Sequence, residues 1–186
     1  MTAQIESRYI EANGLNHHYL TAGQGPLVVL CHGFPELSWS WRQQIPALAS
    51  AGYRVVAADL RGYGDTKGPA DPETYTNLHV VGDMVAILDA FGEKQAVIVG
   101  HDWGSPIAWL AATLRPDRFR AVASLSVMNG PRMPLPPPEF AVSQGMSDLY
   151  WLYFQPPGQA EKDMERDTHE TFLRLFYAVS GDAFRN

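Results

Sequence analysis

Short apolar runs separated by longer stretches of mixed polarity set the pattern of this chain. Four runs are almost continuously apolar, which is typical of strands covered on both faces of a parallel sheet. A fifth strand is predicted earlier in the chain and ends in a turn. The predicted strands are residues 17–23 (HHYLTAG), 26–31 (PLVVLC), 53–59 (YRVVAAD), 95–100 (QAVIVG) and 121–127 (AVASLSV).

Helical periodicity fills the segments between these strands. Apolar residues recur at helical spacing from 78 to 91, and Gly92 is a suitable stop for that helix. A second helix follows residue 104, with Pro106 in its first turn and Pro116 at its end. Strands that alternate with helices predict the α/β class with a mostly parallel sheet.

The pattern changes after residue 128. The stretch MNGPRMPLPPPEF is too rich in proline for a central strand, and helical segments are predicted over 141–154 and 159–180. The predicted organisation is therefore an α/β core over 1–128 and a partial helical layer over 129–186.

Composition narrows the classes of protein. The chain has 186 residues, 46% apolar residues and a formal net charge of -6, which disfavours a nucleic-acid partner. No secretory signal and no membrane-spanning run is recognisable. The single cysteine, Cys31, is expected to pack at the end of a strand and fits a reducing, cytoplasmic location. No motif for a metal, nucleotide or other cofactor is present, so none is expected.

Chemistry is concentrated in the turn GHDWG, residues 100–104. Asp102 follows a buried strand at the N-terminus of a helix, where a negative charge is favoured. The flanking Gly100 and Gly104 are expected to allow a strained backbone. A carboxylate here can attack an sp³ carbon that bears a strained or good leaving group, and the product is an alkyl-enzyme ester. Helix capping by Asp102 is the alternative interpretation.

Three motifs together resemble the soluble epoxide hydrolases of the α/β-hydrolase superfamily: HGFPE (32–36), DLRGYGDT (59–66) and GHDWG. The resemblance implies that Asp102 is the nucleophile and that backbone N–H groups of Phe34 and Trp103 form an oxyanion hole. It further implies a cis turn at Pro35. In the cap-like segment DLYWLYFQ it implies that Tyr150 donates a proton to the epoxide oxygen.

The same resemblance implies a small apolar epoxide and water as reactants. The sheet would be of the α/β-hydrolase type, incomplete at its C-terminus and followed by the start of a helical cap. Asp59 and Arg61 of DLRGYG are expected to be structural. The expected substrate pocket is lined by His32, Phe34, Pro35, Trp103, Tyr150 and Trp151.

The family's mechanism also needs a histidine base and an orienting acid after later strands. None of the six histidines stands at such a position, and His169 falls in the cap-like helices. The chain is therefore expected to resemble only the N-terminal part of an epoxide hydrolase. We expect it to be alkylated without turnover, and to be unstable or prone to aggregation through an unpaired sheet edge.

Two other functions stay open at this point. A dehalogenase with the same aspartate nucleophile would attack a carbon bearing halogen, and halide release would identify it. A non-catalytic binding module would retain affinity for an apolar ligand without turnover. The sequence does not determine the oligomeric state.

Overall fold

The structure, a computed structural model, describes residues 3–130 and 134–184. The chain forms two compact units, Met1–Gly130 and Pro131–Asn186. The first unit contains a sheet with helices on both faces, and the second contains helices among its described residues.

A six-stranded sheet organises the first unit, with strand order β1-β2-β4-β3-β5-β6. Strands β3 to β6 pair in parallel, whereas β2 pairs antiparallel with both β1 and β4. The predicted α/β class with a mostly parallel sheet is confirmed. The strands are β1 Glu6–Ala12, β2 Leu15–Ala22, β3 Leu27–Cys31, β4 Arg54–Ala58, β5 Ala96–His101 and β6 Phe119–Leu125.

Three α-helices cover this sheet: α1 Gln44–Ser50, α2 Asn77–Ala90 and α3 Gly104–Leu114. Side chains of β3 and β4 alternate between two cores because successive strand residues point to opposite faces. Val29 and Val56 pack in the core that contains α2 and α3 residues, and Val28 and Val55 pack in the core that contains Ile45 of α1. This arrangement explains why these strands have continuously apolar sequences.

The helix predicted from 78 to 91 is confirmed as α2. It begins after Thr76, whose hydroxyl accepts a hydrogen bond from the His79 N–H, and it ends before Gly92, whose φ is +69°. Short 3-10 helices at Ser38–Trp41 and Pro72–Tyr75 precede α1 and α2.

The sequence analysis did not predict strand β1. Its sequence, ESRYIEA, is exposed over most of its length, so it carries no apolar run. Asn13 and Gly14, both with positive φ, form the turn to β2. An Asn-Gly pair between two strands is a strong hairpin signal, and it was available in the sequence.

The second unit contains four α-helices among its described residues: α4 Pro137–Ser143, α5 Tyr150–Tyr153, α6 Gln159–Met164 and α7 Thr168–Val179. Two predicted extents were therefore wrong. The segment 141–154 is interrupted after α4, where Gly145 has φ +74°, and 159–180 is interrupted by the 3-10 turn Glu165–Asp167. The 3-10 helix Gly181–Phe184 ends the described part of the chain.

Across residues 3–130 and 134–184, none of the helices combines the length and the apolarity required to cross a membrane.

Candidate active site

A sharp turn joins β5 to α3 and presents Asp102. The backbone of Asp102 has φ +51°, in the left-handed region that few residues other than glycine adopt. Its N–H donates to the Leu125 carbonyl at 3.3 Å, and its carbonyl accepts from the Ser105 N–H at 2.9 Å. The buried Ser105 hydroxyl donates to the carbonyls of Gly100 and Leu125, which fixes the turn against β6.

The two glycines flanking the turn are needed for space. Asp102 itself adopts the positive φ, while Gly100 and Gly104 do not, so they allow the strained turn by leaving room for it. A Cβ on Gly100 would lie 2.1 Å from the Gly104 carbonyl oxygen. A Cβ on Gly104 would lie 2.2 Å from the Cys31 carbonyl oxygen. The glycines therefore let the turn pack against its own helix and against β3.

The loop after β3 brings a donor to the Asp102 carboxylate. The Phe34 backbone N–H donates to Asp102 Oδ1 at 2.9 Å. The preceding Gly33 is in close contact, since a Cβ there would lie 2.4 Å from the same oxygen. The peptide bond between Phe34 and Pro35 is cis, as the resemblance implied. One oxygen of the carboxylate is thus held by the loop predicted to contribute to an oxyanion hole.

The buried His32 fixes this loop through hydrogen bonds of both its ring nitrogens. Its ring is fully buried, its Nδ1 lies 2.9 Å from the Gly33 carbonyl, and its Nε2 lies 3.0 Å from the Leu60 N–H. Together these contacts define the tautomer in which Nδ1 donates and Nε2 accepts. Burial lowers the pKa of His32 below its ordinary value, so the ring is neutral at neutral pH.

The sequence analysis did not identify one polar pair beside the turn. His101 Nδ1 lies 2.9 Å from Glu36 Oε2, and the rings of His101 and Trp41 are nearly perpendicular, with centroids 6.4 Å apart. A cavity of about 180 Å³ adjoins the pair and is lined also by Ser40, Gln44 and Leu125. Glu36 ends the HGFPE motif and His101 precedes Asp102, so each residue lies in a motif that the sequence analysis had already identified. That these two side chains meet depends on how β3 and β5 pair.

Trp103 follows Asp102 and caps α3 with helical backbone angles and a partly exposed side chain. The sequence analysis assigns its backbone N–H to an oxyanion hole, and that role stays a prediction.

Asp59 and Arg61 do not pair with each other and have separate buried partners. Arg61 donates to Asp83 of α2 with Nε at 2.6 Å, and to the Thr74 carbonyl at 2.5 Å. Asp59 contacts His18 and the Ser38 N–H instead. These contacts fix the loop after β4.

The remaining predicted site residues belong to the second unit. Tyr150 begins α5, is 44% exposed and has its ring 5.5 Å from the ring of Phe154. Trp151 follows and is half-buried. A cavity of about 540 Å³ within this unit is lined by Tyr150 and by Ser147, Asp148, Leu149, Leu152, Tyr153, Pro156 and Gln159.

No group of three or more His, Cys, Asp or Glu side chains suited to a metal ion occurs among residues 3–130 and 134–184. The buried Cys31 contacts the Met84 sulfur at 3.6 Å, and burial raises the pKa of its thiol to about 12. Such a thiol packs as a small apolar group.

A parallel sheet with an acid turn after β5 and a backbone donor after β3 is the architecture of one large group of hydrolases. The family model described as alpha/beta hydrolase fold matches residues 26–180, and the chain belongs to this family.

Named relatives narrow the comparison to epoxide hydrolases. The chain is 49% identical over 172 residues to Epoxide hydrolase 3 of Siraitia grosvenorii, covering 91% of this chain and 54% of that protein. It is 45% identical over 171 residues to Epoxide hydrolase A of Mycobacterium tuberculosis, covering 90% and 53%. The crystal structure of Epoxide Hydrolase A from Mycobacterium thermoresistibile aligns with a TM-score of 0.91 at 43% identity, covering 96% and 57%. The resemblance seen in the motifs is confirmed.

The chain spans about half the length of the curated relatives it matches. Their names describe those proteins, and the activity of this chain is proposed below.

Proposed function

We propose that this chain carries the nucleophilic part of an epoxide hydrolase, with Asp102 as the attacking group. The observation that carries the proposal is the 2.9 Å hydrogen bond from the Phe34 N–H to Asp102 Oδ1. That bond distinguishes the two carboxylate oxygens. With Oδ1 held in the loop, Oδ2 is the oxygen that attacks a ring carbon of the epoxide.

Attack converts the carboxylate into an ester and opens the ring. The new bond joins Asp102 Oδ2 to carbon, the carbon–oxygen bond of the ring breaks, and the ring oxygen becomes an alkoxide. Tyr150 donates the proton that the alkoxide needs. Oδ1 becomes the ester carbonyl oxygen, where the N–H groups of Phe34 and Trp103 stabilise charge when water later attacks.

His32 has a supporting part in this scheme. Because both of its nitrogens already bond to the protein, it positions the loop that carries Phe34 and Pro35. In this proposal a small apolar epoxide contacts the side chains of Phe34, Pro35 and Trp103, and the assignment of Tyr150 and Trp151 to its pocket rests on the resemblance to epoxide hydrolases.

Hydrolysis of the ester requires a base that activates water. We expect the ester to form faster than it is hydrolysed in this chain, so that an adduct accumulates. Cytoplasmic location is a further prediction, made from the single buried Cys31.

Intact-mass spectrometry after incubation with styrene oxide tests the proposal. The chain should gain the mass of one epoxide, and peptide mapping should place it on Asp102. Asp102→Asn is the matched variant, because asparagine also tolerates positive φ and is not nucleophilic, and Asp102→Ala removes the group altogether. Asp117→Asn, which removes an exposed carboxylate paired with Arg115, should still form the adduct.

The possible outcomes separate the candidate functions. An adduct confined to Asp102, or diol formation that Asp102→Asn abolishes, supports the proposal. Halide release from a haloalkane without reaction of the epoxide would instead identify a dehalogenase. Neither adduct nor diol from a folded chain would overturn the proposal and favour a non-catalytic binding role.

A second variant tests the acid. Tyr150→Phe removes the phenolic proton and keeps the ring, so adduct formation should slow by about 10²-fold or more, as expected for general acid catalysis. Tyr153→Phe is the control, because its hydroxyl donates to Asp163 within the same unit. Equal rates in the two variants would remove Tyr150 from the mechanism.

A further inference from the structure

A second constellation of catalytic residue types spans β1, β2 and the residue that follows β4. Ser7 Oγ lies 2.9 Å from His18 Nε2, and His18 Nδ1 lies 2.7 Å from Asp59 Oδ2. Ser7 is on β1, His18 is on β2, and Asp59 follows β4. Three strands, β2, β4 and β3, separate Ser7 on β1 from β5 and the Asp102 turn. Asp59 lies closer to that turn and accepts from the Ser38 N–H in the segment after β3.

Asp59 is the buried end of the cluster, with only 3% of its surface exposed. Oδ1 accepts from the Ser38 N–H at 2.8 Å, and Oδ2 accepts from the Asp65 N–H at 3.3 Å as well as from His18. Burial on its own would raise the pKa of Asp59, but these donors together hold it below its ordinary value. Asp59 is therefore an ionised carboxylate at neutral pH.

The ionised carboxylate determines the tautomer of His18. A carboxylate only accepts hydrogen bonds, so Nδ1 carries the proton, and in the neutral ring Nε2 is left as an acceptor. The hydroxyl of Ser7 is the donor to Nε2. The ring is nearly buried, and the Tyr9 ring lies 5.2 Å from it, which restricts its orientation.

Ser7 is the solvent-exposed end of the cluster. It lies on the edge strand β1, diagonal to His18, because the register pairs Tyr9 with His18 and Ser7 with Leu20. A hydroxyl at the outer nitrogen of a His–Asp pair satisfies that nitrogen and also lies where its proton can pass to the imidazole. The order hydroxyl, imidazole, carboxylate, with each at hydrogen-bonding distance, is the arrangement by which serine nucleophiles are recognised.

We propose that Ser7 is a nucleophile activated by His18 and Asp59, and that it reacts with small activated acyl and phosphonyl electrophiles such as aryl esters and fluorophosphonates. With an aryl ester, Oγ bonds to the carbonyl carbon as its proton passes to His18 Nε2. The acyl–oxygen bond then breaks, and the departing phenol takes the proton from Nε2. Water releases the acyl group by the same proton path. With a fluorophosphonate, an Oγ–P bond forms, fluoride leaves and Nε2 retains the proton.

Labelling of the full chain with a fluorophosphonate tests the proposal, with peptide mapping to locate the phosphonyl group. The internal reference is Ser147, which is exposed and has a carboxylate neighbour, Asp148, but no imidazole in its hydrogen bonding. Ser7 should be labelled at least about a hundredfold faster than Ser147, the gain expected from a positioned general base.

Three comparisons link that rate to the folded arrangement. In urea the cluster is dispersed, so labelling at Ser7 should fall to the rate at Ser147. Ser7→Ala, at an exposed edge position, should abolish the label on that peptide, and the matched Ser147→Ala should leave labelling at Ser7 unchanged. His18→Gln should lower the rate about a hundredfold where circular dichroism shows a folded chain.

The result that would overturn the proposal is equally direct. If the folded chain labels Ser7 no faster than Ser147, or labels Ser7 equally fast in urea, the cluster is a structural hydrogen-bond network. Because the label is located by peptide, this outcome is independent of whether Asp102 reacts with epoxides.

Discussion

Asp102 shows how much one residue's conformation depends on its neighbours. A non-glycine residue at positive φ costs about 1–2 kcal/mol, with aspartate among the more tolerant types. The turn keeps that conformation because Ser105, Leu125 and the Phe34 N–H bond to it from three sides. Ser105 and Leu125, which have no part in the proposed chemistry, thereby help to determine where the carboxylate points.

Gly104 gives the sharpest prediction at this scale. A Cβ there meets the carbonyl oxygens of Cys31 at 2.2 Å and His32 at 2.6 Å, and backbone atoms of a central strand cannot move aside cheaply. Gly104→Ala should therefore lower the free energy of unfolding by about 3 kcal/mol. Urea denaturation measures the loss.

Gly130→Ala is the matched control, since a Cβ there meets nothing within 4 Å and should change stability by less than about 0.5 kcal/mol. Equal destabilisation by the two substitutions would contradict the close-approach explanation.

The sequence predicted those features of the site that depend on residues close together in the chain. The turn at Asp102 could be predicted from its own motif, and the cis bond before Pro35 from the resemblance to epoxide hydrolases. The contact between Glu36 and His101 could not be predicted, because the two residues are 65 positions apart and meet only through the pairing of β3 with β5. The hydrogen bonds from Ser7 through His18 to Asp59 likewise need three elements in register.

At the scale of elements, burial determined what the apolar pattern could detect. Strands β3, β4 and β5 lie inside the sheet and were predicted within a residue or two of their observed ends. Strand β1 is at the edge and exposed, so its sequence has no apolar run, and only its Asn-Gly turn marks it. Short helices of the second unit were merged in the prediction because their apolar residues continue across the breaks.

The packing of β2 against α2 leads to a prediction about pH. His17 on β2 is fully buried, and Asp83 of α2 lies 4.0 Å from its Nε2. Burial lowers the pKa of His17 below its ordinary 6.5, and the nearby Arg61 also lowers it. Asp83, the Ala12 backbone and Glu11 act in the opposite direction. The unfolded chain therefore binds this proton more readily than the folded chain.

The stability that comes from the neutral ring is complete above pH 6.5 and decreases as the pH falls below that value. His17→Leu should reduce the slope of unfolding free energy against pH by up to about 1.4 kcal/mol per pH unit. Urea midpoints at a series of pH values from 7.5 to about 5 measure it. The buried His32 remains in the variant and keeps part of the slope, and an unchanged slope would show that folding does not lower the pKa of His17.

At the scale of the whole molecule, the described part of the sheet has an exposed edge. Strand β6 pairs only with β5 among the described strands, and Arg120, Ala121, Ala123 and Leu125 are exposed along it. An exposed edge strand is a template for pairing with another chain. The chain should therefore self-associate as its concentration rises, which sedimentation velocity measures.

Ala121→Lys should weaken that association, because a lysine on an edge strand opposes pairing. Ala51→Lys adds the same charge at an exposed position at the end of α1 and is the control. A chain that stays monomeric at all concentrations, or equal effects of the two lysines, would refute edge pairing.

Because Cys31 is buried, the reactivity of this single thiol is a probe of how often the first unit opens. With no exposed surface and a pKa of about 12, it cannot meet an alkylating reagent while β3 stays in the sheet. Iodoacetamide should modify the native chain at least about a thousandfold more slowly than the urea-unfolded chain, and the residual rate reports how often the sheet opens. Native and unfolded rates within tenfold of each other would mean that the centre of the sheet is open much of the time. The effect of any substitution on the opening of the first unit can therefore be compared by the rate at which Cys31 is alkylated in the native chain.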